Sequence, residues 1–309
     1  MRVDAETMRL RRAQAQWRAW VAHVNVPRMP SIRVAFVQGR PRFGRVAENL
    51  EKGLALAATV EADLVVIPEL WSTGYVFSSH EEVARLAEDP ASGPTARALT
   101  AAAKREKRWY VAGFAEAARG RAYNSAMLVG PRGIATVYRK LHLFEREQEW
   151  FSPGDLPLAV HRVGPARVGL LICFDWRFPE TARALALMGA DVIAHPSNLV
   201  FPNAQQAMLT RSLENRVFTV TANRTGTERR PGGTVPFTGR SQIVAPNGLP
   251  LARANKTAEA SMAARCDLAE SRDKRLTDRT HLWSSRRPEH YGELVRRGGR
   301  KRDKVLALR

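Results

Sequence analysis

The run DLVVIPE (residues 63–69) leaves little choice of environment. Successive side chains of a strand point to opposite faces, so Leu64, Val65, Val66 and Ile67 need apolar cover on both sides of a sheet. IRVAFVQ (32–38), WYVAGFAE (109–116), ARVGLLIC (166–173), DVIAHPS (191–197) and VFTVTAN (217–223) read the same way. Between them lie segments with apolar residues at helical spacing: 46–62, 93–108, 179–190 and 204–216. Two of these carry Pro near the start, Pro94 and Pro179, where its missing N–H costs nothing. YNSAMLVG and IATVYRK flank Pro131-Arg132-Gly133 and read as a hairpin, and GRSQIVAPNG (239–248) as a strand entering an Asn-Gly turn. Strands alternating with helices, plus hairpins, predict an α/β fold with helices packed on a mixed sheet.

No linker rich in Pro, Gly or Ser interrupts residues 31–290, which read as one domain. Residues 1–30 read as a basic, Arg-rich extension, with Met29 a candidate internal start, and 291–309 as a basic tail. The net charge is +19, of which +4 lies in residues 1–30 and +8 in 271–309. Such a charge attracts nucleic acid, and a basic nucleic-acid-binding protein is the non-enzyme alternative. No aromatic RNP-like motif, zinc-finger spacing or helix-turn-helix accompanies it, so only nonspecific attraction is expected. No apolar stretch reaches the roughly 20 residues of a membrane span. The N-terminal segment lacks the apolar core and cleavage site of a secretory signal. The two cysteines, Cys173 and Cys266, form no disulfide framework, which favours a reducing cytoplasm.

Three polar residues stand where strands run out: Glu69 in VVIPEL, Lys140 in TVYRKLHLF and Cys173 in LLICFDW. Carboxyl ends of strands are where α/β sheets bind ligands. A charge directly after a buried run must leave the core, find a partner or shift its pKa. Together the three types are complementary. A cysteine attacks as thiolate and needs a base or positive charge nearby; Glu69 can take the proton and Lys140 can hold an oxyanion, with the backbone N–H of Phe174 as second donor. Taken singly, each has a plainer reading: a core thiol, a strand-end salt bridge, a solvated strand terminus. His142 and His195 offer a Cys-His alternative, although neither has a papain-like context and His195 also reads as a hydrogen-bonded core imidazole. No HExxH, CxxC or paired-His spacing occurs, so no metal is expected.

VVIPELWSTGY, YRKLHLFEREQEWFSPGD and VGLLICFDWRFPE resemble, in order and spacing, the three signature regions of the nitrilase superfamily of carbon–nitrogen hydrolases. RSLENRVFTVTANRTG and FTGRSQIVAPNG are similar to its members too. The resemblance covers about residues 31–290 and is particularly close to the compact archaeal nitrilase branch. It implies a four-layer α-β-β-α sandwich, a Glu-Lys-Cys triad on Glu69, Lys140 and Cys173, and no cofactor. It further implies a second pocket glutamate shortly after the lysine. Of Glu145, Glu147 and Glu149, Glu147 fits the branch's spacing best. Asp175, Arg177 and Glu180 match the segment that braces the nucleophile turn. Homodimers or higher homo-oligomers are implied as well.

The substrate reading divides. Many dedicated nitrilases have Trp-Glu after the cysteine, whereas this chain has Phe174-Asp175. That leans towards hydrolysis of a small aliphatic amide, while the likeness to the archaeal branch leans towards a nitrile; N-carbamoyl-amide hydrolysis is the third reading. Pocket candidates are Trp71, Tyr75, Trp176 and Asn198, beside the Phe174 amide, and no Arg stands out as an anchor for a substrate carboxylate.

Overall fold

A computed structural model describes residues 29–296. The extension read over 1–30 lies outside the described residues except for Met29 and Pro30, and the tail is described only as far as Arg296. The chain runs β1 (Ser31–Gln38), α1 (Val46–Ala58), β2 (Leu64–Ile67), α2 (His80–Leu86), α3 (Pro94–Glu106), β3 (Trp109–Ala118), β4 (Arg121–Gly130) and β5 (Gly133–Arg139). It continues through α4 (Glu147–Trp150), β6 (Val160–Val163), β7 (Ala166–Leu170), α5 (Pro179–Leu187), β8 (Val192–Ser197), α6 (Ala204–Asn215) and β9 (Phe218–Asn223). A hairpin of β10 (Thr227–Arg230) and β11 (Gly233–Pro236) precedes β12 (Gln242–Val244), β13 (Pro250–Arg253) and β14 (Ala260–Asp267).

Two six-stranded sheets form, in the orders β14-β1-β2-β3-β4-β5 and β13-β12-β9-β8-β7-β6. Strands β1, β2 and β3 are mutually parallel, as are β7, β8 and β9; the outer strands pair antiparallel.

The period-two alternation of each strand sorts its side chains into layers. Val34, Phe36, Leu64, Val66, Val111 and Leu128 of the first sheet share one buried cluster with Val168, Leu170, Val192, Ala194, Phe218 and Val220 of the second. The intervening residues face outwards. Ala35, Val37, Val65, Ile67, Tyr110 and Met127 pack against Ala57 of α1 and Ala96, Leu99, Ala102 and Ala103 of α3. On the far side Ile193 packs against Ala182, Leu185 and Ala186 of α5. Helix, sheet, sheet and helix are therefore stacked, the four-layer α-β-β-α sandwich.

Most predicted elements are present with shifted ends: β1, β3 and β4 run longer, while α1, α5 and β2 are shorter. The reading of 166–173 as a strand overran: β7 stops at Leu170, and Cys173–Arg177 is a turn of 3-10 helix. The sequence reading also missed β6, β10, β11, β13 and β14, and the short helices α2 and α4. β14 pairs with all eight residues of β1 yet is half exposed on an edge, so it carries no clear apolar alternation. Among the described residues no helix is long and apolar enough to cross a membrane.

Candidate active site

Glu69 follows the parallel strand β2 after Pro68, and Leu70 beyond it takes a left-handed φ of 46°. That corner packs directly on β3 at Gly113. A Cβ there would lie 2.4 Å from the Glu69 Cα, so only glycine allows the approach. The contact is fixed by Gly113 N–H donating to Pro68 O (3.1 Å) and Trp71 N–H to Gly113 O (3.0 Å). Lys140 follows β5 and is clamped similarly. Its N–H donates to Asn124 O and its carbonyl accepts from Gly154 N–H, both at 2.8 Å.

Cys173 opens the 3-10 turn with φ 40°, an uncommon backbone state for a residue with a side chain. The carboxylate of Asp175 holds that turn. It accepts from Ile172 N–H (2.9 Å), the Tyr138 hydroxyl (2.7 Å) and His142 N–H (3.1 Å), and pairs with His142 Nδ1 at 2.7 Å. The first hydrogen bond back along the turn is Asp175 N–H to Ile172 O, so the Phe174 N–H lies ahead of the helical bonding. Of the other two residues matched to the brace, Arg177 and Glu180 are exposed and take no part in these bonds.

These three turns converge on one buried cluster. Lys140 Nζ donates to Glu69 Oε1 at 2.6 Å and lies 2.8 Å from Glu147, with Lys140 and Glu69 fully buried and Glu147 nearly so. Tyr75 donates its hydroxyl to Glu147 Oε1 (2.8 Å), and Asn124 donates its side-chain amide to Glu69 Oε1 (2.8 Å). Glu69 Oε2 is buried without a partner among the described residues. An ammonium has three donors; two go to the glutamates, and the third is left for a ligand.

Burial by itself would lower the Lys140 amine, but the charges of Glu147 and Glu69 outweigh it and hold it above its ordinary range, so it stays an ammonium. Burial raises the Glu147 carboxyl, with Glu69 adding to the effect and Lys140 opposing it. The Cys173 thiol is pushed well above the ordinary value of 9.0, first by burial and then by the charge of Glu69. Lys140 and the Asn198 backbone act the other way. The resting group is therefore a thiol, and attack requires a base to take its proton.

Tyr75 and Glu147 also line a cavity of about 220 Å3. Asn198 is buried and donates its amide to the Glu69 carbonyl (3.0 Å), so its side chain supports the Glu69 corner. Trp176 packs in the inter-sheet core and is not among the residues lining that cavity. Trp71 lies in the outer cluster against α1, its indole N–H donating to Asn49 O, which removes it from the pocket candidates. The Phe174 ring stacks at an angle on Phe144 and edge-on to Phe178, and Phe174 is not among the residues lining that cavity. His195 is a buried imidazole between Thr221 and the Cys173 carbonyl, and His142 pairs with Asp175; neither ring is bonded to the thiol. Among the described residues no group of three His, Cys, Asp or Glu side chains is arranged to hold a metal.

The sequence reading missed Asn124 and a buried ion pair behind Tyr75. Glu228 accepts from the N–H groups of Tyr75 (3.1 Å) and Val76 (2.6 Å), and from Arg224 Nη1 (2.6 Å). Arg224 lies over the Phe237 ring at 4.1 Å, and Phe237 meets Tyr75 edge-on. Arg224 directly follows β9, the same signal that drew attention to Glu69. It was hidden by the abundance of arginine in this chain.

The family model described as carbon-nitrogen hydrolase matches residues 33–275. A nitrilase of Pyrococcus abyssi is 46% identical over 263 residues, which cover 84% of this chain and 99% of that protein. An (R)-stereoselective amidase of a Pseudomonas species is 38% identical over 269 residues, covering 84% and 95%. A crystal structure of a carbon-nitrogen hydrolase from Helicobacter pylori G27 superposes with a TM-score of 0.78 at 26% identity, covering 86% of this chain and 99% of that one.

Proposed function

The chain belongs to the carbon–nitrogen hydrolase family, and we propose that it hydrolyses a small aliphatic amide to acid and ammonia through a thioester on Cys173. The observation that carries this reading is the ammonium of Lys140 bonded to two buried carboxylates, one of which, Glu69, keeps an oxygen free. Glu69 accepts the thiol proton as Sγ attacks the amide carbon. The carbonyl oxygen becomes an oxyanion, held by the remaining Lys140 donor and the Phe174 N–H. The C–N bond breaks as Glu69 returns the proton to nitrogen, and ammonia leaves. Glu69 then deprotonates a water that attacks the thioester, releasing the acid and the thiol. Glu147, fixed by Lys140 and Tyr75, orients the amide nitrogen or that water.

A second reading is supported by the 46% identity to a nitrilase. A nitrile would form a thioimidate with the same thiolate, and one further water would be consumed on the way to acid and ammonia. The deciding experiment is ammonia release from small aliphatic amides, nitriles and carbamoyl amides, run with wild type beside Cys173→Ala. The amide reading expects cysteine-dependent release, fastest from the amides. Faster turnover of nitriles would replace it by the second reading, and release that persists in Cys173→Ala would remove Cys173 from the chemistry.

A further inference from the structure

The cavity beside Glu147 encloses about 220 Å3, less than the roughly 300–1,000 Å3 of pockets that hold drug-sized ligands. Its wall is mostly apolar, with Tyr75, Phe144, Trp150, Val200 and Val235 as principal contributors. It meets the buried cluster at Tyr75 and Glu147, which are bonded to each other, with Glu147 bonded also to Lys140.

Charge narrows what can enter. Arg146 is the one cation of the lining, and its guanidinium is already engaged by Glu149, by the Gly232 carbonyl and by the Trp150 ring. Glu147 is matched by Lys140, and Glu145 is exposed at the rim. An anionic tail would meet two carboxylates and no free cation, while burying a charge without a partner is costly. Glu145 in turn lies in solvent, where a cationic tail would gain little from it.

The outer wall is a fixed one. Arg230 at the end of β10 pairs with Glu82 and lies 3.5 Å from the Phe43 ring centre. Gly232 in the hairpin turn sits so tightly on the Phe77 carbonyl that a Cβ would approach it to 2.4 Å. Val235 stands opposite Glu228 in the β10–β11 register, the same Glu228 that holds the backbone of Tyr75.

We propose that this cavity is the subsite for the acyl tail of the substrate, selecting uncharged, apolar acyl groups, with Val235 on the β10–β11 hairpin setting the length accepted. The proposal rests on the hydrolase reading of the Cys173 site but concerns a different part of the substrate. A pocket of this kind discriminates one methylene by about 10- to 200-fold.

The test uses primary amides with short, branched and aryl-substituted acyl groups, together with ω-carboxy and ω-amino amides of matched length. kcat/KM is measured for wild type, Val235→Phe and Val235→Ala, and binding of the same amides is measured on the Cys173→Ala protein with and without Val235→Phe. Val235→Phe should lower kcat/KM and affinity for the branched and aryl amides by about tenfold or more while sparing the shortest amide, and Val235→Ala should admit longer tails. Equal loss across the series, or a wild-type preference for an ω-carboxy or ω-amino amide over its neutral counterpart, would overturn the subsite. If no amide or nitrile is turned over, the hydrolase reading fails, and the binding series still decides the subsite.

Discussion

Arg139 and Lys140 are neighbours in sequence at the end of β5, and both are buried cations held by glutamates. Arg139 is bound bidentately by Glu116 and singly by Asp155 (2.7 Å), and its guanidinium lies 3.9 Å from the Tyr123 ring centre. Glu116 also accepts from Ser125 (2.6 Å), so both of its oxygens are used. Lys140 is held by Glu69 and Glu147, but Glu69 keeps one oxygen unpartnered and the ammonium one donor uncommitted. Adjacent residues of an extended chain point to opposite sides, so the two clusters do not share partners. A buried charge with all its partners in place is an element of structure. One with a vacancy has something left to offer a substrate, and unsatisfied groups are expensive enough that they seldom persist without a use.

The two clusters should respond differently when a side chain is removed from each. Replacing Lys140→Met should lower kcat/KM by about 10²- to 10³-fold, the usual loss for an oxyanion donor. It also leaves two buried carboxylates without their cation. Burial already raises Glu147, and without Lys140 its folded pKa rises further above the unfolded value. Stability of the variant should therefore be greatest below the ordinary carboxylate range and fall as pH rises through the folded pKa. Urea midpoints measured at about pH 5 and pH 8 should be higher at the acid end, and the reverse order would mean the carboxylates find another cation. A smaller effect is expected from Tyr75→Phe, which removes one hydrogen bond to a charged group, about 1.5–3 kcal/mol. kcat/KM should drop by about tenfold or somewhat more, with unchanged cysteine dependence. The smallest effect on activity should come from Arg139→Met, less than about threefold in kcat/KM for the folded protein, even though breaking a buried pair costs about 3–5 kcal/mol of stability. A large fall in kcat/KM for a well-folded Arg139→Met would erase the distinction between the two clusters.

Much of the site could be read along the chain because its residues sit at an abrupt change of pattern. Glu69, Lys140 and Cys173 were each read where a strand runs out, and the resemblance of the surrounding motifs pointed to the same residues. The tryptophans could not be assigned this way. Trp71 and Trp176 flank candidate residues, yet one faces a helix layer and the other the inter-sheet core, because the face a side chain takes depends on how the corner after the strand turns. Among the three glutamates after the lysine, the spacing of the resembled branch favoured Glu147. In the structure Glu145 is exposed at φ 48° and Glu149 is paired with Arg146 at the surface, which leaves Glu147 as the buried one.

Local pattern therefore determined the strands, the helices and the positions where polar groups leave them, since alternation and strand ends are properties of short segments. Tertiary packing decided which of those groups meet. Lys140 reaches Glu69 across 71 residues, and Glu228 reaches Tyr75 across 153. Glu69 and Lys140 follow β2 and β5 of one sheet, with β3 and β4 between them, and Glu228 stands on the β10–β11 hairpin, so no short stretch of sequence contains both sides of either contact.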